Sequence, residues 1–202
     1  MTAEELAARL ARPGFLADMP PGFTDDVVVL ALPEARPAAV LVPLVMHAQP
    51  AILLTLRSAD LRSHAGQVAF PGGRVEAGET AEQAALREAE EEIGLPRSWP
   101  VLVGRMPLHL TGTGFLVTPV LGMLAPGFPM AADPSEVAEV FELPLAVLLD
   151  PDSPRRESRE WRGRMREYWV WPHASHYIWG ATATMLVSLA RALRGEYERK
   201  VA

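Results

Sequence analysis

A helix with clear start and stop signals constrains this chain more than any other part of its sequence. Thr80 and Gln83 form a capping box, in which the Thr80 hydroxyl accepts from the Gln83 backbone N–H and the Gln83 side chain bonds back. At the other end, Gly94 suits a left-handed C-cap and Pro96 forbids continuation. These signals predict a helix over about residues 81–93.

Carboxylates crowd this helix and the loop before it. Seven of the 25 acidic residues of the chain fall between Glu76 and Glu92. At 100° per residue, one stripe of the helix carries apolar side chains that we expect to face the core: Leu86, Ala89 and Ile93. The roughly opposite side carries three carboxylates on adjacent turns: Glu88, Glu91 and Glu92. Because these like charges repel, the acidic face is either solvated or neutralised by bound cations.

A glycine-containing loop, residues 72–79, leads directly into the acidic helix. Glycine lets a backbone fold tightly and offer its carbonyls or amides to a ligand. Three carboxylates and one loop carbonyl form an all-oxygen ligand set of the kind that suits Mg²⁺ or Mn²⁺. Such ions bridge phosphate oxygens, neutralise charge in a transition state and lower the pKa of a bound water. Arg87 either pairs with Glu79 and joins the loop to the helix, or is a surface arginine on an acidic helix.

The spacing of these residues resembles the Nudix box. Its fixed positions are occupied by a glycine, glutamates, an arginine and a Gly-Leu pair: Gly73, Glu79, Arg87-Glu88, Glu91-Glu92 and Gly94-Leu95. Ala89 stands where the box more often has a bulkier aliphatic residue. The resemblance implies the α/β (α+β) Nudix fold, with a mixed β-sheet sandwiched between helices. It also implies hydrolysis of a nucleoside diphosphate that is linked to another group.

The same resemblance implies roles for the residues of the box. The catalytic metal ligands would be three carboxylates together with one backbone carbonyl: Glu88, Glu91, Glu92 and Gly73. The metal would be Mg²⁺ or Mn²⁺. Glu79 and Arg87 would support the structure of the site without touching the metal.

A further carboxylate after the box often serves Nudix enzymes as a base or a metal ligand. Residues 133–141 offer two candidates, Glu136 and Glu139. We predict the catalytic role for Glu136 ahead of Glu139. Both are also readable as surface acids on a short helix, and the position of this base varies across the family.

A second pattern of fixed spacing precedes the box and resembles the signature of the coenzyme A diphosphatase branch of Nudix hydrolases. It is made of these residues: Leu53-Leu54-Thr55, Arg57-Ser58, Arg62, Gly66 and Phe70-Pro71-Gly72-Gly73. His64, Gln67 and residues 178–182 also fit that branch. The resemblance implies hydrolysis of coenzyme A or its acyl derivatives to 3′,5′-adenosine bisphosphate and 4′-phosphopantetheine. The alternatives are a Nudix hydrolase of NADH or ADP-ribose, and a nucleotide-sensing Nudix-like binding module.

Five residues are candidate substrate contacts: Arg57, Arg62, His64, Gly72 and Gly73. Coenzyme A carries a diphosphate and a 3′-phosphate, and the guanidinium fork of arginine suits phosphate oxygens. Arg57 and Arg62 therefore either contact the substrate or form salt bridges to the acidic box. His64 has three readings: a donor to phosphate, a partner of a substrate-contacting residue, or a loop histidine without a role.

An arginine-rich segment, residues 154–167, is a further candidate site. Its six arginines would bind a 3′-phosphate or a nucleic acid, but the interleaved glutamates favour a solvated hairpin that pairs with itself. Aromatic residues of this region alternate partly with polar ones, as in a strand: Trp161, Tyr168, Trp169 and Trp171. Packing in a core or a dimer is a more common use of such residues than stacking on adenine.

Charge, cysteine content and chain ends limit the other function classes. A formal net charge of −6 argues against general binding to a nucleic-acid backbone, and the absence of cysteine excludes disulfides and thiolate sites. No apolar run reaches the ~18–20 residues of a membrane helix, and no secretory signal is visible at the N-terminus. We expect a cytoplasmic protein with a small-molecule substrate and neither a nucleic-acid nor a membrane partner. A homodimer is left open.

The length of 202 residues predicts a single domain over residues 1–202. We expect an N-terminal helical extension over about residues 1–25 and a C-terminal hairpin plus helix over about residues 155–198. Residues 135–141 and 145–149 read as short helical pieces or strand ends. The remaining apolar runs predict strands, the first two of which form a hairpin: residues 38–46, 51–57, 67–70, 101–110 and 115–124.

Overall fold

The computed structural model describes residues 1–20, 23–24, 35–61, 63–161 and 163–197. Arg62, one of the predicted substrate contacts, lies outside the described residues, and so does the final part of the predicted C-terminal segment.

The described helices are α1 Ala3–Leu10, α2 Ala81–Ile93, α3 Leu145–Leu149 and α4 Gly180–Leu193. The first six strands are β1 Phe23–Thr24, β2 Arg36–Val45, β3 Ala51–Arg57, β4 Val68–Ala69, β5 Gly72–Arg74 and β6 Val101–Arg105. The other strands are β7 His109–Leu110, β8 Phe115–Leu124, β9 Val137–Pro144, β10 Arg155–Trp161, β11 Arg164–Trp171 and β12 Ile178–Trp179. The acidic helix α2 therefore has the predicted bounds, because its capping signals are local to the sequence.

Nine of the described strands form one mixed sheet, with β1, β7, β8, β2, β3 and β4 side by side. In addition, β5 pairs with β2, β6 pairs with β8, and β9 pairs with β3. The predicted hairpin of β2 and β3 is confirmed, since the two strands pair antiparallel, whereas β2 and β8 are parallel over their full length. A separate three-stranded sheet contains β10, β11 and β12, so the arginine-rich segment is a hairpin as predicted.

Helices cover both faces of the mixed sheet, which confirms the predicted fold class. Helix α2 packs on one face through small side chains, among them Ala84, Ala85 and Ala89, and meets Leu41 and Leu53 of the sheet. The opposite face carries a larger apolar core to which α1, α3, α4 and strand β11 contribute. This arrangement places the acidic helix and the C-terminal elements on opposite sides of the sheet.

One sequence-based expectation for the secondary structure needs correction, and one alternative that the sequence left open is decided. The predicted strand 101–110 is divided into β6 and β7. Pro107 lies in the interruption, and a proline has no N–H to donate to a strand ladder. Residues 135–149 contain no helix before Leu145, because residues 137–144 pair with β3 as strand β9.

Candidate active site

Helix α2 presents its carboxylates beside the loop that precedes it. The predicted capping box is present, since the Gln83 backbone donates to the Thr80 hydroxyl at 3.3 Å and the Thr80 backbone donates to the Gln83 side chain at 2.8 Å. Gly94 ends the helix with the expected positive φ of 69°. The helix is thus fixed in register with the glycine loop at its N-terminal end.

Glu92 is the most buried carboxylate of the cluster, with 3 % of its surface exposed. Its Oε2 accepts from the Gly72 backbone N–H at 3.2 Å, and its Oε1 lies 3.5 Å from Nη1 of Arg57. Burial raises the pKa of Glu92 to about 7, and the nearby charges of Glu88 and Glu136 also raise it, against the opposing effects of Gly72 and Arg57. A buried carboxylate with a raised pKa beside other carboxylates is a typical feature of a functional site.

The position of Glu92 corrects the expected division of α2 into an apolar face and an acidic face. Glu92 faces the protein interior, whereas Leu86 is only half-buried. The alanines of α2 let the helix lie close to the sheet, so the buried surface shifts toward Ala85, Ala89 and Glu92.

Glu88 lies between the helix and the glycine loop. A Cβ atom on Gly73 would lie 2.4 Å from the carboxylate carbon of Glu88, so the loop backbone approaches this side chain closely because residue 73 is glycine. Burial is the main cause that raises the pKa of Glu88, and the charges of Glu91 and Glu136 add to it, while Arg87 lowers it.

Arg87 connects the loop to the acidic face. Its guanidinium donates to both oxygens of Glu79, at 2.8 and 3.1 Å, which is one of the two readings of this arginine. It also donates to Glu88 and to Glu91, each at 2.9 Å, and to the carbonyl of Arg74 at 3.1 Å. The hydrogen bonds from Arg87 hold the pKa of Glu79 below its usual value.

The predicted metal ligands fit a divalent cation by donor type, burial and charge. They are all oxygen donors, and the pKa values of Glu88 and Glu92 are raised by burial and by neighbouring carboxylates. A bound cation would relieve that repulsion. No three carboxylate or imidazole groups of the described residues converge on one point as a preformed metal site, and Arg87 engages Glu88 and Glu91 instead. Metal binding at these residues remains a prediction.

Arg57 ends strand β3 next to the acidic cluster. The ion pair with Glu92 corresponds to one of the two readings of this arginine, the salt bridge to the box. Its Nε is buried and has no hydrogen-bond partner among the described residues. The structure therefore brings Arg57 into contact with the acidic cluster.

His64 lies in the loop that follows β3. It is exposed, has a positive φ of 57°, and places its Nδ1 2.8 Å from the side-chain oxygen of Gln67. The backbone of Gln67 closes this loop onto Arg57, whose N–H donates to the Gln67 carbonyl at 3.0 Å. Gln67 thus links His64 to the end of strand β3 at Arg57, and the three readings of His64 stay predictions.

Glu136 is held against the end of α2 by its own segment. The Asp133 N–H donates to the carbonyl of Glu92, and the Ser58 N–H donates to the carbonyl of Glu136. Glu136 is exposed, in a turn before β9, and its charge raises the pKa values of Glu88 and Glu92. The reading of Glu136 and Glu139 as acids on a short helix is wrong, since these residues form a turn and a strand.

Glu139 points away from the acidic cluster. On strand β9 it pairs in register with Leu56, and its Oε1 lies 3.4 Å from Nε2 of His176. His176 and its neighbour His173 were not among the predicted site residues. Two histidines three residues apart in one loop were the only signal for them.

The arginine-rich hairpin pairs with itself only in part. Arg156 forms an ion pair with Glu167 at 2.8 Å and lies over the ring of Trp169. Trp171 is fully buried and its indole N–H donates to the carbonyl of Ala183, so this residue packs in the core. No described helix is long and apolar enough to cross a membrane.

Comparisons of this chain with protein families, with known sequences and with solved structures agree with one another. Residues 35–167 match the profile of the NUDIX domain. The chain is 44% identical over 161 residues to the "Uncharacterized Nudix hydrolase NudL" of Photorhabdus laumondii, covering 79% of this chain and 86% of the relative. The protein of the same name from Escherichia coli K12 is 44% identical over 156 residues, covering 77% and 81%. A solved structure of a mutT/nudix family protein from Listeria innocua superposes with a TM-score of 0.51 at 19% identity, covering 81% and 97%.

Proposed function

Because the chain belongs to the Nudix hydrolases, which act on nucleoside diphosphate derivatives, we propose that it cleaves the diphosphate of coenzyme A or of its acyl derivatives. The products would be 3′,5′-adenosine bisphosphate and 4′-phosphopantetheine. Nudix hydrolases generally use divalent metal ions, and we propose Mg²⁺ or Mn²⁺ here.

The environment of Glu92 is the single observation that best supports this proposal. A carboxylate that is 3 % exposed lies beside the backbone of Gly72 and the guanidinium of Arg57. Arg57, Gly72 and Gly73 all belong to the pattern that resembles the coenzyme A branch. An arginine of that pattern therefore lies beside a carboxylate of the box, and a charged diphosphate with its cation would need both kinds of group.

The residues of the chain would share the chemistry as follows. Glu88, Glu91 and Glu92, with the Gly73 carbonyl, would hold the cation, which supplies charge neutralisation and a lowered pKa for the attacking water. Arg57 would bind a phosphate oxygen through the exposed part of its guanidinium. Arg87 would keep the loop and helix in register through Glu79. Glu136 lies beside the cluster with its carboxylate exposed, and we propose it as the group that accepts the proton of the water.

A substrate panel tests the proposed function. We expect the purified protein with Mg²⁺ to convert coenzyme A to the bisphosphate and phosphopantetheine, identified by mass spectrometry, with a higher kcat/KM than for NADH or ADP-ribose. Hydrolysis in ¹⁸O-labelled water would show which phosphorus is attacked. A clear preference for NADH or ADP-ribose would contradict the choice of substrate while leaving the diphosphatase chemistry intact.

Divalent metal should stabilise the folded protein. At a metal concentration about tenfold above its Kd, binding adds about 1.4 kcal/mol, which raises the Tm of a chain of this size by about 3–5 °C. The measurement is thermal unfolding with EDTA, Mg²⁺ or Mn²⁺.

Two variants make this measurement specific to the cluster. Glu92→Gln should lose the shift in Tm. Glu90→Gln should keep it, because Glu90 is exposed on the same helix and pairs with Arg97. A shift that persists in Glu92→Gln would place the metal elsewhere.

Three further points remain predictions of the sequence. They are the single domain over residues 1–202 with its terminal extensions, a cytoplasmic location, and the open question of a homodimer.

A further inference from the structure

A cleft of about 410 Å³ opens on the C-terminal sheet, outside the acidic cluster. Strands β10 and β11 and the loop 172–177 line it. We call it the histidine cleft, after His173 and His176. Its volume is within the range of sites that bind small molecules, and no residue proposed for the diphosphatase chemistry lines it.

Flat rings form one wall of the histidine cleft. His176 stacks on Phe141 with ring centroids 3.9 Å apart, and His173 stacks on His176 at 4.8 Å. Tyr177 also lines the cleft, and its hydroxyl is fixed by a 2.6 Å hydrogen bond to Glu157. His176 is buried against Phe141 and His173, so the half-buried ring of His173, held in place by its neighbours, is the one that offers a face to a planar ligand at little cost in side-chain entropy.

The histidine cleft also offers hydrogen-bond donors. The Ser175 N–H donates to Nδ1 of His173 at 3.2 Å, and burial lowers the pKa of His173, so the neutral ring carries its hydrogen on Nε2. Arg155 stands at the rim, exposed, and no hydrogen bond or ion pair joins its guanidinium to the described part of the chain. An unpaired arginine beside a stacking wall suits a ligand that has a ring and a phosphate.

The cleft and the acidic cluster both lie near the same end of the paired strands β3 and β9. In the ladder of β3 and β9, Arg57 faces Val137 and Leu56 faces Glu139. Glu139 contacts His176 of the cleft, while Arg57 contacts Glu92 of the cluster. The cleft lies on the α4 side of the sheet and the cluster on the α2 side, so one extended ligand would pass around the end of β9 that begins at Val137.

We propose that the histidine cleft binds the nucleoside end of the substrate, with the base against the ring of His173 and a phosphate monoester on the ribose at Arg155. This inference rests on the proposed function for its substrate class. It assigns Arg155 as a specificity-determining residue that distinguishes a nucleotide with an additional phosphate from one without it.

Binding of the nucleotide product tests this assignment without requiring turnover. Isothermal titration calorimetry would compare adenosine 3′,5′-bisphosphate with adenosine 5′-monophosphate. In Arg155→Ala we expect at least a tenfold weaker affinity for the bisphosphate and less than a threefold change for the monophosphate. In His173→Ala we expect both ligands to bind more weakly, because the stacking surface is lost.

Arg159→Ala is the matched control. Arg159 is exposed on the same strand and the same face as Arg155, about 13 Å further along, and does not line the cleft. We expect it to bind the bisphosphate as the wild type does. Equal losses in Arg155→Ala and Arg159→Ala, or no binding of the bisphosphate to the wild type, would overturn the inference.

The experiments distinguish a failure of the proposed function from a failure of this inference. If the enzyme cleaves coenzyme A but Arg155→Ala leaves both kcat/KM and bisphosphate affinity unchanged, only the inference is wrong. If coenzyme A is not cleaved but the bisphosphate binds in an Arg155-dependent way, the inference stands as a nucleotide site and the proposed substrate is wrong.

Discussion

Replacing Glu92 by glutamine should lower turnover of the diphosphate substrate by about 10²-fold or more. Glutamine keeps the shape of the side chain and can still accept from the Gly72 N–H, but it removes the negative charge that we assign to cation binding. The measurement is kcat at saturating Mg²⁺. A Glu92→Gln enzyme that turns over at nearly the wild-type rate would contradict the metal assignment.

The same variant should not unfold the protein, and at high pH it should stabilise it. The pKa of Glu92 is raised to about 7 in the folded chain, from an ordinary value of 4.5. Between these two values the folded state holds the extra proton, so the free energy of unfolding of the metal-free wild type falls as pH rises. Glutamine cannot ionise, so its free energy of unfolding lacks this fall with pH. Measured against the wild type, the free energy of unfolding of Glu92→Gln should therefore rise by on the order of 3 kcal/mol between pH 4 and pH 8.

Urea denaturation in EDTA at pH 4 and pH 8 measures this difference. Glu90→Gln is the control, since Glu90 is exposed and its ion pair with Arg97 lies on the outer face of the same helix. We expect Glu90→Gln to retain most of the activity and to change in stability by less than about 0.5 kcal/mol. Loss of both fold and activity in Glu92→Gln would mean that the carboxylate is needed for structure.

Adding a methyl group to Gly73 should abolish most activity and leave the fold intact. The new Cβ would lie 2.4 Å from the Glu88 carboxylate, which is the end of a flexible side chain and can turn away. Displacing a catalytic group by about 1 Å can reduce rates by about 10²-fold, so we expect a loss of that size for Gly73→Ala. Thermal unfolding should stay within a few degrees of the wild type.

Gly72→Ala is the matched variant, with the opposite outcome for stability. Its Cβ would lie 2.4 Å from the carbonyl oxygen of Ala39 and 2.6 Å from the Cα of Val40, which are backbone atoms of the central strand β2. These atoms cannot move without disturbing the pairing of β2 with β5, so we expect a loss of about 2–3 kcal/mol in the free energy of unfolding. Equal stability losses in Gly72→Ala and Gly73→Ala would contradict this distinction.

Much of the fold near the box could be predicted from the sequence, because its signals are local. The capping box at Thr80 and the glycine at residue 94 set both ends of α2, and the apolar runs set the hairpin of β2 and β3. The pairing of Arg87 with Glu79 was one of two readings open from the sequence, since only seven residues lie between them. By contrast, the segment after residue 135 was ambiguous, because short apolar runs fit strands and helices alike.

The sequence by itself determined the residue types of the candidate site, its family, and the helix that carries its carboxylates. Only the tertiary structure decided which carboxylate is buried, that Arg57 lies against Glu92, and that His173, His176 and Arg155 line one cleft. The physical reason is the range of the interactions. Caps and helical periodicity act between residues three to five apart, whereas burial, the resulting pKa of Glu92 and the shape of a cleft arise from side chains on distant strands packed together.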